Sequence, residues 1–332
     1  MTPSTPPLLS VRDLRTWYPV RHGVFQRVAN HVKAVDCVSF DLPVRKTLAL
    51  VGESGCGKTT VGKSILRLVQ PTSGIVRYAD KELTALPQAD LRPLRRELQI
   101  VFQDPYSSLN PRQTVRDIVR EGLDAHGLGT KRERDERATE MVCRVGLPKD
   151  AMGRYPHEFS GGQRQRIGIA RALAVRPNFV VCDEPLSALD ASIQAQILNL
   201  LRELQEDFGL TYLFITHDLS VVEYLADEVA VMYLGKIVER APAGELFDAP
   251  LHPYTKVLMS AVPRLRPRDR VDRVVLQGDV PSPIHPPSGC SFHPRCPVAE
   301  PQCARQEPDL AELAPGRFVK CLVAQREAGA GA

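Results

Sequence analysis

Residues 47–59 read Thr-Leu-Ala-Leu-Val-Gly-Glu-Ser-Gly-Cys-Gly-Lys-Thr, a buried-strand pattern that runs into a glycine-rich loop and then a helix. The last eight residues, Gly52–Thr59, fit the pattern G-x-x-x-x-G-K-[ST] in the strand–loop–helix context that it requires. Its glycines let backbone N–H groups turn towards phosphate oxygens, and the helix start near Lys58 adds a positive dipole end. We therefore predict a nucleoside triphosphate site, with Lys58 at the β- and γ-phosphates and the Thr59 hydroxyl on Mg²⁺.

Apolar segments typical of buried strands alternate with helical patterns on both sides of this loop. The predicted strands are residues 47–51, 98–102, 179–183, 211–215 and 229–232, and the predicted helices are 58–69, 163–174 and 192–208. Residues 130–146 also have a helical pattern, and their many charges indicate a solvated face. Strands that alternate with helices predict an α/β fold with a largely parallel sheet covered on both faces.

Length and composition exclude several classes of protein. The chain has 332 residues, room for about two domains, and its 43% apolar and 25% charged residues exclude overall disorder. A net charge of +4 is too balanced for a dedicated nucleic-acid binder. No apolar run approaches the ~18 residues of a membrane-spanning helix, and residues 1–7 lack the features of a secretion signal. We expect a soluble, cytoplasmic protein that reaches a membrane only through a partner.

Two further patterns suit phosphate chemistry. The predicted strand 179–183 ends in Asp183, followed by Glu184, and acids at the carboxyl end of a parallel strand point into the ligand crevice. Asp183 could hold Mg²⁺, and Glu184 could act as the general base. The stretch Ser160–Gln163 reads Ser-Gly-Gly-Gln before a helix and predicts a second anion-binding helix start. Taken singly, Asp183 and Glu184 also fit a strand that ends in solvated acids, and Ser160–Gln163 also fit a simple helix cap.

Three more polar positions complete an ordered series. Gln103 follows the predicted strand 98–102, Ser187–Asp190 follows the acid pair, and His217 follows the strand that begins at Thr211. A lone Gln or His at such a position is usually structural. The whole set in this order is not plausibly accidental.

Residues 8–247 resemble the nucleotide-binding subunit of an ABC transporter, with every diagnostic motif in order. The resemblance implies a P-loop NTPase fold with a RecA-like core, an antiparallel β subdomain and a helical subdomain at about residues 104–175. The nucleotide contacts it implies are Tyr18 at the adenine (with Trp17 as the alternative), Gly52, Glu53, Ser54, Gly55, Cys56, Gly57, Lys58, Thr59, Thr60, Ser160, Gly161, Gly162, Gln163 and Asp190.

The resemblance also implies how these residues work. In the family two cassettes meet head to tail, so that each ATP lies between one phosphate-binding loop and the partner's signature, here Ser160–Gln163. Glu184 polarises the attacking water, His217 contacts the γ-phosphate, and Gln103 couples hydrolysis to the membrane subunit. Thr59, Gln103 and Asp183 are the implied Mg²⁺ ligands. Arg45 and Lys46 stand where the family often has Gly-Glu, a departure that concerns the turn before strand 47–51 and not the phosphate chemistry.

Composition changes after about residue 247, where prolines become frequent. Residues 251–255 and 289–297 are similar to the C-terminal extension of oligopeptide and dipeptide importer ATPases. We therefore predict two domains, an ABC ATPase domain over residues 1–247 and a C-terminal extension over residues 248–332. The basic stretch 264–273 within the extension is interpreted as a solvated linker.

Four cysteines lie in this extension, with the spacing Cys290-x5-Cys296-x6-Cys303-x17-Cys321. Four thiolates suit a closed tetrahedral site for zinc or an iron–sulfur cluster, and the spacing alone does not decide between them. The resemblance implies a 4Fe–4S cluster with a structural role. Zn²⁺ and four unligated thiols are the alternatives.

The function that follows is ATP hydrolysis that powers peptide import. The expected partners are a sister ATPase in a heterodimer (a homodimer being the alternative), two transmembrane permease subunits and an extracytoplasmic peptide-binding protein. The expected location is peripheral, on the cytoplasmic face of the inner (plasma) membrane, and no nucleic acid is expected. Alternatives are import of another solute such as nickel, or a soluble ABC ATPase that acts on nucleic acid or ribosomes. A GTPase switch is disfavoured because the guanine-reading Asn-Lys-x-Asp is absent.

Overall fold

The computed structural model describes residues 6–23, 27–260 and 278–330, so the predicted linker at 264–273 and most of the N-terminal segment 1–7 lie outside the described residues. The described chain divides into two compact units. The first unit comprises residues 43–47 and 85–215, and the second comprises residues 6–23, 27–42, 48–84, 216–260 and 278–330.

The strands and helices follow one another in a mixed α/β order. The strands are β1 Leu9–His22, β2 Arg27–Leu42, β3 Thr47–Val51, β4 Ser73–Tyr78, β5 Lys81–Glu82, β6 Leu98–Val101, β7 Phe179–Asp183, β8 Thr211–Ile215, β9 Glu228–Tyr233, β10 Lys236–Pro242, β11 Ala311–Ala314 and β12 Arg317–Val319. The helices are α1 Lys58–Ile65, α2 Gln88–Leu94, α3 Pro105–Ser108, α4 Val115–Ala125, α5 Lys131–Arg144, α6 Gly161–Leu173, α7 Ala191–Phe208, α8 Leu219–Leu225, α9 Ala243–Asp248, α10 Pro253–Ser260 and α11 Leu322–Ala330.

Three parallel strands organise the first unit. Strand β7 lies between β6 and β8, with Val180 opposite Gln99 on one side and Tyr212 on the other. Every residue of β7 and β8 is buried, which matches their apolar sequences. Because the three strands run in the same direction, their carboxyl ends lie at one edge of the sheet.

The helices α3–α6 lie within residues 105–173 of the first unit, where the resemblance implies a helical subdomain. Capping boxes start three of them: Thr114 pairs with Asp117 at α4, Thr130 with Glu133 at α5, and Ser160 with Gln163 at α6. Helix α4 buries a stripe of apolar residues, which are Val115, Ile118, Val119 and Leu123. Much of α5 is exposed, in agreement with the predicted solvated face.

The second unit contains an antiparallel sheet with the strand order β2-β1-β4-β5, as the resemblance implies. Its other strands pair around β9, which lies parallel to β3 and antiparallel to β10. The short strands β12 and β11 continue antiparallel from β10. The C-terminal region thus adds strands to the same group that carries β3.

A hydrophobic core joins this C-terminal region to the strands of the second unit. Val51 on β3, Tyr233 at the end of β9, Tyr254 on α10 and Phe292 belong to one cluster of buried residues. The predicted boundary at residue 247 stays a prediction, but residues on both sides of it share this core. A change in the packing around Phe292 should therefore also change the packing around β3.

The predicted α/β fold is confirmed. Strands 47–51, 179–183 and 211–215 have their predicted bounds, whereas helix α1 ends at Ile65 and not at residue 69. The turn that precedes β3 forms without glycine, because Arg45 adopts a φ of 61° and its N–H donates to the Thr211 hydroxyl at 2.8 Å. No helix in the described parts of the chain combines the length and apolar character that a bilayer crossing needs.

Candidate functional site

The phosphate-binding loop connects β3 to α1 and needs glycine at its two ends. Gly52 has a φ of 151° and Gly57 a φ of 107°, in the region that side chains rarely adopt. A Cβ at Gly52 would collide with the Met232 carbonyl oxygen, and one at Gly57 with that of Ala34. The closely packed backbone of β2 and β9 thus selects glycine at these positions.

Lys58 is the first residue of α1, and its side chain turns back over the loop. Its ammonium group donates to the carbonyl oxygens of Gly52 at 2.9 Å and Glu53 at 3.1 Å, and the side chain is buried. The N–H of Gly235 also donates to the Cys56 carbonyl at 2.9 Å. Burial raises the pKa of the Cys56 thiol, which keeps it protonated. The loop therefore presents one buried cation beside a helix N-terminus, an arrangement suited to phosphate.

Glu53 lies inside this loop and forms hydrogen bonds with two residues of the C-terminal region. Its backbone N–H donates to the Tyr254 hydroxyl at 2.9 Å. Its carboxylate accepts two hydrogen bonds from the Arg295 guanidinium, at 2.9 and 3.2 Å. Sequence reasoning missed both partners, although the stretches that contain them, 251–255 and 289–297, stood out as subfamily motifs.

In the first unit, the parallel strands bring two predicted catalytic residues together. Gln103 lies just beyond β6 and Glu184 just beyond β7, and Gln103 Nε2 donates to Glu184 Oε2 at 3.0 Å. Glu184 has a φ of 45°, and its N–H donates to the Ile215 carbonyl at 2.9 Å. The adjacent Asp183 is buried at the end of β7. A carboxylate oriented by an amide donor at a sheet edge can accept a proton from water.

Ser160 caps α6, so a helix starts where the sequence predicted one, and anion binding at this helix start stays a prediction. The N–H of Ser160 donates to Gln163 Oε1 at 3.0 Å, and the N–H of Gln163 donates to the Ser160 hydroxyl at 3.4 Å. Gly162 packs against Ile193 of α7 so closely that a Cβ there would lie 2.5 Å from Ile193 Cγ2. The Gly161 position is open by comparison, with Leu189 Cδ2 at 3.6 Å.

Two other predicted residues lie at helix starts. Asp190 caps α7 through the N–H of Ile193 at 3.0 Å, and hydrogen bonds from Ser192 and Ile193 lower the pKa of its carboxyl group. His217 is exposed in the turn before α8, a helix that Asp218 caps. The side chains of Asp190 and His217 both lie at the surface of their own unit.

The adenine contact was predicted at Tyr18, with Trp17 as the alternative. Tyr18 lies on β1 and is 39% exposed. The Trp17 ring already packs against the Lys33 ammonium, which lies 5.0 Å from the ring centroid. Tyr18 is therefore the better candidate for stacking on a base.

The predicted site residues divide between the two units. Tyr18, Gly52–Thr60 and His217 lie in the second unit, whereas Gln103, Ser160–Gln163, Asp183–Glu184 and Asp190 lie in the first.

The four C-terminal cysteines are all free thiols in the second unit. Burial raises the pKa of Cys290, of Cys321 and of Cys296, the last to about 11. No group of three or more His, Cys, Asp or Glu in the described part of the chain is arranged to hold a metal ion. The predicted closed four-thiolate centre, with 4Fe–4S or Zn²⁺, is therefore not confirmed as a preformed site.

Comparison with protein families identifies both parts of the chain. Residues 35–187 match the ABC transporter family, and residues 238–303 match the C-terminal region of oligopeptide and dipeptide transporters.

Individual relatives agree with these matches over almost the whole length. The oligopeptide transport ATP-binding protein AppF of Bacillus subtilis is 54% identical over 317 residues, which are 95% of this chain and 96% of that protein. A putative peptide import ATP-binding protein of Brucella ovis is 52% identical over 316 residues, which cover 95% and 98% of the two chains.

Solved structures similar to this chain include an ATP-binding cassette and a component of an ABC transporter complex. A dimeric cassette in a post-hydrolysis state, bound to ADP and Pi, has a TM-score of 0.64 and 28% identity, and covers 71% of this chain and 98% of its own. The cbiO1 protein of Clostridium perfringens, part of an ABC transporter complex, has a TM-score of 0.63 and 25% identity, with 74% and 92% coverage. The chain belongs to the ABC transporter ATPases, in the branch of the oligopeptide and dipeptide transport ATP-binding proteins.

Proposed function

We propose that this protein hydrolyses ATP to power the import of di- or oligopeptides through a membrane ABC transporter. The single observation that carries this proposal is the 54% identity to an oligopeptide transport ATP-binding protein across 95% of the chain. That span includes both the cassette and the C-terminal region typical of peptide transporters.

In the proposed site, the loop Gly52–Thr60 binds the triphosphate. The N–H groups of the loop and the Lys58 ammonium bind phosphate oxygens, and Tyr18 stacks on the adenine. Thr59, Gln103 and Asp183 offer the oxygen ligands that Mg²⁺ prefers, and Asp183 is placed by the end of a fully buried strand. When bound, Mg²⁺ neutralises charge on the β- and γ-phosphates.

Glu184 is the proposed general base. Its carboxylate takes a proton from water while the water oxygen bonds to the γ-phosphorus, and the bond to the β–γ bridging oxygen breaks to release ADP and phosphate. The hydrogen bond from Gln103 supports this role, because it orients the carboxylate of Glu184. His217 contacts the γ-phosphate.

A second cassette completes the proposed reaction site. The capped helix start at Ser160–Gln163 offers N–H groups to an anion, and Asp190 lies at the neighbouring start of α7. We assign them to the nucleotide held by a sister ATPase in a heterodimer. The proposed remaining partners are two permease subunits and an extracytoplasmic peptide-binding protein, with this chain on the cytoplasmic face of the membrane.

The C-terminal cysteines are the proposed ligands of a structural 4Fe–4S cluster, with zinc as the alternative. Two features support the proposal. Besides burial, the nearby Cys303 and Cys321 raise the pKa of the Cys290 and Cys296 thiols, so the four cysteines lie in one region. Their raised pKa values also mean that a bound cation is needed to keep the thiolate forms in this buried region.

Metal analysis and an absorption spectrum of anaerobically purified protein test this assignment. We expect bound iron and a broad visible absorption that disappear when all four cysteines are replaced by serine. Cys143→Ser, at an exposed cysteine, is the control and should keep both signals. Zinc without visible absorption would select the alternative, and metal-free protein with the same Tm as the four-serine variant would reject both.

Purification of the tagged full-length chain from detergent-solubilised membranes tests the transport function. We expect two permease subunits and a second ATPase to co-purify, and the reconstituted complex to hydrolyse ATP faster when a peptide-loaded binding protein is added. The Lys58→Ala variant should assemble without hydrolysis. Co-purification with ribosomes or nucleic acid, and with no membrane subunit, would overturn the proposal.

A further inference from the structure

The C-terminal region reaches the phosphate-binding loop directly, at Glu53. Three separate groups hold this residue: the Lys58 ammonium on its carbonyl, the Tyr254 hydroxyl on its N–H and the Arg295 guanidinium on its carboxylate. Two of these groups belong to Tyr254 and Arg295, which lie 201 and 242 positions after Glu53 in the chain. The backbone of a loop that must wrap phosphate is thereby tied to the C-terminal region.

The pair between Arg295 and Glu53 is partly shielded from solvent. The Arg295 side chain is 7% exposed and that of Glu53 is 28% exposed. Both guanidinium Nη atoms take part, each on a different carboxylate oxygen. A bidentate pair fixes the direction of the carboxylate as well as its position, which a single lysine ammonium does not.

Arg295 is itself held rigidly. It ends a short 3-10 turn, His293–Arg295, in which its N–H donates to the Phe292 carbonyl at 3.0 Å. Phe292 is buried against Tyr233 and Tyr254, with ring centroids 5.2 and 5.3 Å away. The Arg295 guanidinium also lies 6.0 Å from the centroid of the Tyr233 ring. The aromatic cluster thus aims the arginine at the loop.

Tyr254 is fixed by an equally buried chain of hydrogen bonds. Its N–H donates to His252 Nδ1 at 3.1 Å, and the N–H groups of Leu251 and His252 each donate to the Glu239 carboxylate at 2.8 Å. Glu239 lies on β10, in the group of strands that includes β3. The phenol oxygen therefore meets the Glu53 N–H from a preorganised position.

We infer that Arg295 and Tyr254 are positioning residues, which hold Glu53, and with it the phosphate-binding loop, in the conformation that binds ATP. The inference rests on the proposed nucleotide site at Gly52–Thr60. By this inference the C-terminal region increases the affinity of the loop for ATP, whether or not the region also binds a structural metal. The turn with Arg295 also lies between Cys290 and Cys296 in the sequence.

The test is the affinity of the full-length chain for Mg-ATP, measured by calorimetry. Arg295→Met should weaken binding about tenfold, because a loop displaced by a fraction of an ångström loses phosphate hydrogen bonds. Arg295→Lys should be intermediate, since it keeps the charge but not the bidentate geometry. In the assembled complex, KM for ATP should rise with kcat little changed.

Arg326→Met is the matched control. Arg326 forms a similar bidentate pair with Glu300, at 2.9 and 2.5 Å, in the same region of the chain. It is exposed and has no contact with the phosphate-binding loop among the hydrogen bonds of the described residues. Its removal should leave ATP affinity unchanged.

A double-mutant cycle separates positioning from general stability. In a Glu53→Met background, Arg295→Met should weaken binding less than about twofold further, because the side-chain acceptor of Arg295 is already absent. An equal loss in both backgrounds would show that Arg295 acts elsewhere and would overturn the inference. Parent-like affinity of Arg295→Met would overturn it too.

Tyr254→Phe keeps the inference testable if Arg295→Met does not fold. This variant retains the buried ring and removes only the oxygen that accepts from Glu53, so it should weaken ATP binding with little change in Tm. If Tyr254→Phe binds ATP with unchanged affinity, Tyr254 is not a positioning residue. Lys58→Ala tests the nucleotide site separately: if it binds ATP like the parent, the proposed site fails, whatever Arg295→Met does.

Discussion

Gln103 Nε2 donates a hydrogen bond of 3.0 Å to Glu184 Oε2, across the carboxyl ends of two adjacent parallel strands. The two residues are 81 positions apart in the chain. Their contact gives the proposed general base a fixed orientation before any substrate binds. Gln103, which is proposed to couple hydrolysis to the membrane subunit, is therefore in direct contact with the proposed base.

Glu184→Gln should reduce ATP hydrolysis at least about a hundredfold, since an amide cannot accept the proton of the attacking water. Nucleotide binding should remain, and the closed dimer of cassettes should accumulate in the presence of ATP. Steady-state phosphate release and size-exclusion chromatography measure the two effects. Glu206→Gln, at an exposed position on α7, is the control. If Glu184→Gln hydrolyses ATP at the parental rate, Glu184 is not the base.

Lys58→Ala should lose at least about tenfold in ATP affinity, because the buried ammonium that bridges the loop carbonyls is also the cation placed for the β- and γ-phosphates. Equilibrium binding of a fluorescent ATP analogue measures this loss. Lys63→Ala changes a lysine of the same helix, in its last turn, and should bind the analogue normally. Tight binding by Lys58→Ala would contradict the assignment of the loop.

Gly162→Ala should lower the free energy of unfolding by about 1–3 kcal/mol, because the new methyl group overlaps Ile193 where α6 packs on α7. Gly161→Ala adds the same methyl group where Leu189 is at an ordinary contact distance, so it should be close to neutral. Urea unfolding of the full chain compares the two. Equal effects would mean that the contact with Ile193 does not limit the residue at 162.

His252 should make stability depend on pH. Burial lowers the pKa of His252 to about 3, from 6.5 in an exposed histidine, and the nearby Lys256 adds to this effect. Between these values the unfolded chain binds the extra proton, so the stabilisation is complete above about pH 6.5 and is lost as the pH falls towards 3. Glu239 acts in the opposite sense, because burial raises its pKa.

A variant is therefore needed to isolate the contribution of the histidine. His252→Asn retains an acceptor for the Tyr254 N–H but does not titrate in this range. The slope of unfolding free energy against pH should fall by up to about 1.4 kcal/mol per pH unit between pH 6 and 4 in this variant. Identical slopes in the two proteins would show that His252 is not buried in its neutral form.

Much of the cassette was predictable because its signals are local. The bounds of β3, β7 and β8 were predicted correctly, since each is a short, largely apolar segment followed by polar residues or glycine. The strands β11 and β12 were missed, because they are short and half exposed and have no such pattern. Strands β1 and β2 also lack a clear apolar run, and only the family resemblance implied the antiparallel sheet that they form.

By itself, the sequence determined the α/β class, the strand–loop–helix context of Gly52–Thr59 and the helix start at Ser160. Each of these depends on backbone preferences and apolar periodicity within about a dozen neighbouring residues. Only the tertiary structure decided that Gln103 meets Glu184 and that Tyr254 and Arg295 meet Glu53. Such contacts arise when packed strands and a buried aromatic cluster bring distant segments together, and no local pattern records which segments will pair.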